Sequence, residues 1–135
     1  MITLIIGSIL GFMIFFPVVV APVVFNILDE KQSSLFLRSF FPKYYLFGIF
    51  LTLIALIMSI FEKDVVIFLA FTLILVGFLF SRQILTPAIN KAKDEIIESN
   101  EKSKIKFEKL HKFSVTINVL QMIICIIILF YQVFY

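Results

Sequence analysis

The chain has 135 residues, of which 61% are hydrophobic, and it contains 18 Phe and no Trp. An ordinary soluble domain is about 45–50% apolar, so this composition excludes that class of protein. The formal net charge is only +3. The basic residues stand at the ends of apolar runs, where they orient a membrane protein, and we therefore expect no nucleic-acid partner.

Four uncharged runs predict four membrane-spanning helices, because a bilayer core roughly 30 Å thick takes about 20 apolar residues per helix. The expected fold is all-α, a four-helix bundle that forms a single transmembrane domain over residues 1–135. We place the spans at about 3–28, 44–61, 65–82 and 112–134, joined on the cytoplasmic side by connections at 29–43 and 83–111.

The first span contains Pro17 and Pro22, each of which removes a backbone N–H donor. We interpret them as a kink that improves packing, and the alternative is a discontinuous helix that lines a binding cavity. The same span carries Gly7 and Gly11, at a spacing that lets helices approach closely. We expect this pair to pack inside the bundle rather than to make a dimer. The run has no basic n-region and is longer than a usual signal h-region, so we expect it to be retained.

The first connection mixes charged and apolar residues, which predicts a short helix lying in the membrane interface. We expect Pro42 to end that helix. The turn Glu62–Asp64 is so short that the second and third spans form an antiparallel hairpin. Small residues mark the inward faces of these two spans: Gly48, Thr52, Ala55 and Ser59 on the second, and Ala70, Gly77 and Ser81 on the third.

The second connection is predicted to hold two helices. Thr86 is typical of an N-cap and Pro87 of a first helical position, so a new helix is expected to start there. We expect Ser99 and Asn100 to interrupt it. A further helix then starts near Ser103 and continues without a break into the fourth span.

Basic residues are distributed very unequally between the two sides. The segments 29–43 and 82–112 share one side and hold eleven Lys and Arg, against one in the short turn at 62–64. The positive-inside rule therefore places both connections in the cytoplasm and both termini outside.

The fourth span carries a polar stripe. Its polar residues recur at helical spacing within about 80° of arc, and they are costly in hydrocarbon unless they meet protein or water. One interpretation is interhelical hydrogen bonding, and the other is the lining of a polar path or ligand site. The stripe consists of His111, Ser114, Asn118, Gln121 and Cys125.

All four spans bring polar residues to the same membrane level, which predicts a functional polar cluster. A pairing of Asp29 with Arg82 or with His111 is sterically conceivable. The cluster comprises Asn26, Asp29, Tyr44, Arg82, His111, Ser114, Asn118 and Gln121.

Signatures of enzyme chemistry are not found in the sequence. A single histidine gives little support for haem ligation. None of the common hydrolase, phosphate-loop or metalloprotease motifs occurs in the sequence. The single cysteine, Cys125, excludes an intramolecular disulfide and a paired-cysteine metal site. We therefore predict no catalytic residue, no metal and no cofactor.

Four sequence elements resemble those of the transmembrane-protein-205-like family, whose bacterial members form domain of unknown function 4149. The resemblance implies a small four-helix protein of the bacterial inner membrane without an established activity. Animal relatives are linked to drug resistance and secretion, which implies export or trafficking. The elements are Pro22–Phe25, Phe41–Tyr45, Leu85–Asn90, and Leu110-His111 with Ser114, Asn118 and Gln121; Ser33-Ser34 departs from the expected Ala-Gly-like pair.

These observations favour a non-enzymatic inner-membrane bundle that acts as an accessory subunit, a scaffold or a small-solute permeation or export element. The alternative is a small membrane oxidoreductase or cofactor-binding protein that uses His111. The expected partner is the lipid bilayer, with a homo-oligomer or a larger membrane complex left open. Glycines and prolines expected to govern packing and helix breaks are Gly7, Gly11, Pro17, Pro22, Gly48, Gly77 and Pro87.

Overall fold

The computed structural model describes residues 1–97 and 101–135, and all regular structure in those ranges is helical. Among these residues, four helical segments are long and apolar enough to cross a membrane, the same number as the sequence predicts. The elements are α1 (Ile2–Phe15), a first π turn (Phe16–Val20), α2 (Ala21–Ile27), α3 (Glu30–Glu62), α4 (Val65–Phe80), a second π turn (Ser81–Leu85), α5 (Thr86–Ile97) and α6 (Glu101–Phe134).

The helices lie side by side, with α1 and α4 each packed against both α3 and α6. Side chains join the diagonal pairs across the centre. The Phe12 ring of α1 stacks on the Phe78 ring of α4 with centroids 6.0 Å apart, and the Tyr45 hydroxyl of α3 reaches Ser114 of α6. The most deeply buried apolar residues of α1 and α4 are Ile2, Ile6, Ile9 and Met13, and Ile67, Phe71, Ile74 and Phe78.

The small residues predicted to face inward are buried on α3 but only partly so on α4. The face predicted on α3 is fully confirmed, because Gly48, Thr52, Ala55 and Ser59 are all buried. On α4 the buried line is made of large side chains instead, and Ala70 is only half-buried, although Ser81 is buried.

The prediction that Gly7 and Gly11 pack inside the bundle was wrong. Both glycines are exposed, and a Cβ added to either would meet nothing within 4 Å. The reason is that the inward face of α1 is set by its isoleucines at positions 2, 6 and 9, which places the glycines on the opposite side.

Both prolines of the first span lie in a continuous helix. Its π turn is closed by the bond from the Ala21 N–H to the Phe16 carbonyl, one residue before Pro22. A π turn widens the helix locally without breaking it, so the missing proline donors are accommodated. The continuous helix excludes the discontinuous alternative.

The prediction that Pro42 ends a separate interfacial helix was also wrong, because α3 continues through it. Proline removes the backbone N–H that would bond the carbonyl oxygen four residues earlier, here that of Arg38. The Arg82 Nε donates to the Pro42 carbonyl oxygen at 3.2 Å. One turn earlier, Arg38 binds Asp94 of α5, so tertiary contacts at Pro42 and just before it anchor this part of α3.

The start of α3 is fixed by a capping box. The Asp29 carboxylate accepts from the Gln32 N–H at 2.7 Å, and the Gln32 side chain accepts from the Asp29 N–H at 3.3 Å. At the other end Lys63 adopts φ 54° and leads into α4. The predicted hairpin between the second and third spans is therefore confirmed.

α5 begins at Thr86 as predicted, but Thr86 has helical backbone angles and is not the N-cap of a separate helix. α4 continues through the second π turn into α5, and the Thr86 hydroxyl donates back to the Ser81 carbonyl oxygen at 2.8 Å. Pro87 therefore lies inside a continuous helix. The predicted interruption at Ser99 and Asn100 lies outside the described residues.

The last helix agrees with the sequence. α6 begins at Glu101, two residues before the predicted start, and continues to Phe134. The predicted connection between the third and fourth spans is helical where the structure describes it, in α5 and in the first turns of α6.

Candidate functional site

The polar stripe of α6 faces the interior for most of its length. Ser114, Gln121 and Cys125 are buried and Asn118 is half-buried, whereas His111 is exposed. The Ser114, Asn118 and Gln121 side chains all make hydrogen bonds. The helical periodicity therefore predicts the orientation of the stripe correctly beyond its first residue.

Tyr45, Ser114 and Asn118 form a hydrogen-bonded group that we call the polar cluster. The Tyr45 hydroxyl lies 3.3 Å from the Ser114 Oγ, and the Asn118 Nδ2 donates to the Tyr45 hydroxyl at 3.4 Å. The Asn118 Nδ2 also donates to the Ser114 carbonyl oxygen at 3.1 Å. The cluster joins α3 to α6 across the centre of the protein.

Three buried polar atoms have no hydrogen-bond partner among the described residues: Ser81 Oγ, Asn118 Oδ1 and Gln121 Oε1. The Gln121 Nε2 is satisfied, since it donates to the Ile74 carbonyl oxygen at 2.8 Å. A buried acceptor without a donor is unfavourable, and such groups are exceptions that call for an explanation.

Two cavities meet beside this cluster. The inner cavity, of about 230 Å³, lies between α1, α3, α5 and α6 and is lined by the polar cluster together with apolar side chains. The outer cavity, of about 540 Å³, lies between the N-terminal part of α3, α5 and the start of α6. Both cavities are lined by Phe41, Ile89, Asn90 and His111, so we treat them as one cleft.

Ion pairs hold the walls of the outer cavity together, and we call them the clasp. Arg38 of α3 binds Asp94 of α5 through both guanidinium nitrogens, with Nη1 to Oδ2 at 3.1 Å. The Arg38 Nη2 also donates to the Asn90 carbonyl oxygen at 3.3 Å. Lys93 pairs with Glu30 at 3.2 Å, which gives a second link between the same helices.

The clasp also reaches His111. The Lys93 Nζ lies 5.3 Å from the centre of the Phe107 ring, a favourable cation–π distance. The Phe107 ring stacks in turn on the His111 ring, with centroids 6.0 Å apart. His111 therefore stands where the charged outer cavity meets the inner one.

One titration shift accompanies the clasp. The hydrogen bond from Arg38, together with its positive charge, holds the pKa of the Asp94 carboxyl below its ordinary value of 3.8. The ionised form that makes the contact is thereby favoured.

The structure brings together only four of the eight residues that the sequence predicts to form a functional cluster. Tyr44, His111, Ser114 and Asn118 line the inner cavity, and the Tyr44 ring packs against Phe12 at 5.0 Å. Asn26 is exposed. Neither Arg82 nor Gln121 lines either cavity.

The pairing of Asp29 with Arg82 or His111 is replaced by other contacts. The Asp29 carboxylate caps α3 through Gln32, and Arg82 donates to the Pro42 carbonyl. A carboxylate directly before a helix finds the unpaired backbone donors of the first turn, and this local bond takes precedence.

Sequence reasoning left Tyr45, Arg38, Asn90 and Asp94 out of the site. Tyr45 stands next to Tyr44, and the pair is typical of interfacial anchors. Arg38 and Asp94 are 56 residues apart in the sequence, with no local signal that joins them. The buried stripe of α3 that contains Gly48 offered one usable signal, because Tyr45 lies one turn before Gly48.

Among the described residues, no three His, Cys, Asp or Glu side chains lie close enough together to bind a metal ion. The groups available to a ligand are instead hydroxyl, amide and imidazole groups beside apolar walls. This chemistry suits a small organic molecule.

A family model described as Domain of unknown function (DUF4149) matches residues 4–98, from α1 to the end of α5. The polar stripe of α6 lies beyond the matched residues. No curated protein and no solved structure matches the chain. Since the model covers well over half of the sequence, the chain belongs to the DUF4149 family of proteins with a domain of unknown function.

Proposed function

We propose that this protein is a non-enzymatic multi-pass membrane protein whose cleft holds an amphiphilic small molecule, as a permeation, export or accessory element would. The observation that carries the proposal is the meeting of the two cavities at His111. Three charged residues, Glu30, Arg38 and Lys93, line the outer cavity beside apolar ones, whereas the lining of the inner cavity is largely apolar with a few hydroxyl and amide groups. A molecule with a polar and an apolar end fits such a gradient.

The outer surface supports the membrane location. Large apolar side chains are exposed along every long helix, including Phe25, Phe50, Leu73 and Phe130. Lipid satisfies such a surface and water does not. Four helices that each contact two others, as these do, are also what a four-helix transmembrane bundle requires.

The proposed orientation follows from the basic residues. α5 and the start of α6 carry most of the lysines, and the positive-inside rule places them in the cytoplasm with both termini outside. The outer cavity then opens near the cytoplasmic face, and the inner cavity lies within the bilayer. In a bacterium the corresponding membrane is the inner membrane.

The size of the cleft is compatible with this proposal. The outer cavity, at about 540 Å³, lies in the range of roughly 300–1,000 Å³ typical of small-molecule sites. The inner cavity of about 230 Å³ is several times the roughly 30 Å³ that a water molecule occupies in the liquid. It accommodates part of an apolar body rather than a whole large molecule.

Native mass spectrometry from mild detergent, with 1-decanol added as the probe, tests the proposal. Val119 lines the inner cavity, whereas Ile123 does not, and both are 45% exposed on α6. Val119→Phe should fill the cavity and reduce saturable decanol binding at least tenfold, while the matched control Ile123→Phe should bind like the unmodified protein.

Two results would overturn the proposal. Decanol binding that does not saturate, or that is equal in the two variants, would show that the cavity is not the site. A copurifying haem or quinone that His111→Ala removes would support the oxidoreductase alternative instead.

A further inference from the structure

The first turns of α6 carry lysines on one side of the helix, which we call the basic face. A shallow depression lies on this side, and no carboxylate of the described residues takes part in its lining. At 100° per residue the lining residues fall within about 140° of arc. The basic face consists of Lys102, Ile105, Lys106, Lys109 and Leu110.

The packing of α5 leaves the basic face uncovered. α5 contacts α6 on another side, where the Ser103 Oγ donates to the Glu95 Oε2 at 3.2 Å. Lys106 and Lys109 are exposed, and Ile105 is 55% exposed. Because α5 packs along the first turns of α6, the lysines stand on a supported helix and point away from the rest of the protein.

The basic face continues directly into the outward surface of the last span. Lys106, Lys109, Phe113 and Leu120 follow one another within about 60° of arc around a straight helix. Phe113 and Leu120 are 49% and 54% exposed, and apolar side chains exposed on a membrane-spanning helix contact lipid acyl chains. The head group of a lipid that lies on this surface therefore comes close to the two lysines.

The height of the lysines agrees with that of lipid head groups. With a rise of 1.5 Å per residue, Lys109 and Lys106 stand about 6 and 10 Å along the axis from Phe113, where the last apolar run begins. Each head-group layer is about 5–8 Å thick. An anionic surface attracts basic residues over a screening length of about 8 Å at physiological salt. Lys109 is therefore within the layer, and Lys106 is within reach of its charge.

The combination of charge and apolar surface decides the kind of partner. The ammonium groups complement a phosphate, and the exposed Ile105 and Phe113 on the same side complement an acyl chain. A soluble acidic partner would complement the charge alone. The continuity of the two surfaces therefore favours a lipid with a negatively charged head group.

We propose that the basic face binds the phosphate head groups of anionic phospholipids, whose acyl chains lie along Phe113 and Leu120. The inference uses the membrane location from the proposed function and is independent of the cleft. No bond is made or broken, so the preference depends on charge attraction and on apolar contact.

Titration native mass spectrometry of the full chain in a neutral mild detergent tests this inference. It compares phosphatidylglycerol with phosphatidylcholine of the same acyl chains, and we expect phosphatidylglycerol to bind about tenfold or more tightly. Lys106→Gln and Lys109→Gln should each reduce this preference about fivefold, which corresponds to the ~1 kcal/mol that one basic residue contributes near an anionic surface.

Lys104→Gln is the matched control. Lys104 is exposed on the same turn of α6 as Lys106 but lies about 160° from it around the helix. This change removes the same charge and should leave the preference for phosphatidylglycerol as it is. The three lysines are all exposed, so none of the three variants should fail to fold.

Three results would overturn the inference. Equal binding of the two lipids to the unmodified protein would leave the basic face to a soluble acidic partner. Equal losses in Lys104→Gln and Lys106→Gln would assign the preference to net charge alone. Displacement of the bound lipid by excess glycerophosphoglycerol, which has the head group and no acyl chain, would indicate a soluble phosphate ligand. Decanol binding to the cleft is measured separately, so the proposed function stands or fails independently.

Discussion

At the scale of single residues, Gly48 and Gly77 lie against neighbouring helices with no room for a side chain. A Cβ added to Gly48 would lie 2.8 Å from the Phe78 ring, and one added to Gly77 would lie 2.6 Å from the Gln121 Nε2. Both distances are shorter than atoms tolerate, so the contacts of α4 with α3 and α6 depend on the missing side chains. In membrane proteins such small-residue contacts supply much of the packing between helices.

Gly77→Ala should therefore destabilise the protein by about 1–3 kcal/mol, the cost of overpacking plus a lost buried hydrogen bond. The added Cβ would lie 2.6 Å from the Gln121 Nε2, so this buried amide would have to move away from the Ile74 carbonyl oxygen to which it donates. The measurement is reversible unfolding in mixed detergent and denaturing micelles.

The matched control is Gly7→Ala, where a Cβ meets nothing. This change should be neutral or stabilising by up to about 1 kcal/mol, since alanine is the better helix former. The explanation fails if Gly77→Ala is as stable as Gly7→Ala.

At the scale of elements, the helices continue through the prolines at positions 22, 42 and 87. The two π turns stand before Pro22 and Pro87, and Pro42 lies inside α3. Local rules for proline describe a helix without neighbours, whereas here Arg82 binds the Pro42 carbonyl oxygen and the clasp holds α3 one turn earlier. The first π turn also lines the inner cavity through Phe16 and Pro17.

The clasp predicts a particular pH dependence. The pKa of Asp94 is lower in the folded protein than its ordinary value of 3.8, so its contribution to stability is fully present above that pH. The contribution is lost as the pH falls below it, through the folded-state pKa. Asp94→Asn should lower the midpoint of thermal unfolding by a small, constant amount near neutral pH.

The difference in unfolding midpoint between Asp94→Asn and the unmodified protein should shrink below about pH 4, where an unpaired aspartate becomes protonated. Melting curves in detergent between neutral pH and about pH 3 measure it. A difference that grows as the solution becomes more acidic has the opposite sign and would contradict the assignment.

At the scale of the whole molecule, hydropathy predicts the four long helices, and periodicity predicts which side of α6 faces inward. Both signals are local in the sequence. Because exposing Asn118 and Gln121 to lipid is costly, the side of α6 that carries them has to face the other helices. The clasp was not predictable in this way, because Arg38 and Asp94 meet only after α3 and α5 are packed together. Tyr45 was missed for the same reason, since its partners are on α6.

Side chains from all four long helices build the inner cavity: Met13 from the first, Tyr45 from the second, Ile89 from the third and Asn118 from the fourth. No single helix or hairpin contains the site. The proposed binding of an amphiphile therefore depends on the arrangement of all four helices, and locating the bound molecule tests both.

Photoaffinity mapping makes that test most directly. A decanol with a diazirine on its alkyl chain is cross-linked to the protein in lipid vesicles, and the modified residues are read by peptide mass spectrometry. We expect labelling of Val115, Val119 and Met122, which line the inner cavity, and we expect excess unlabelled decanol to suppress it. Labelling confined to outward residues such as Phe130, or unaffected by the competitor, would contradict the account.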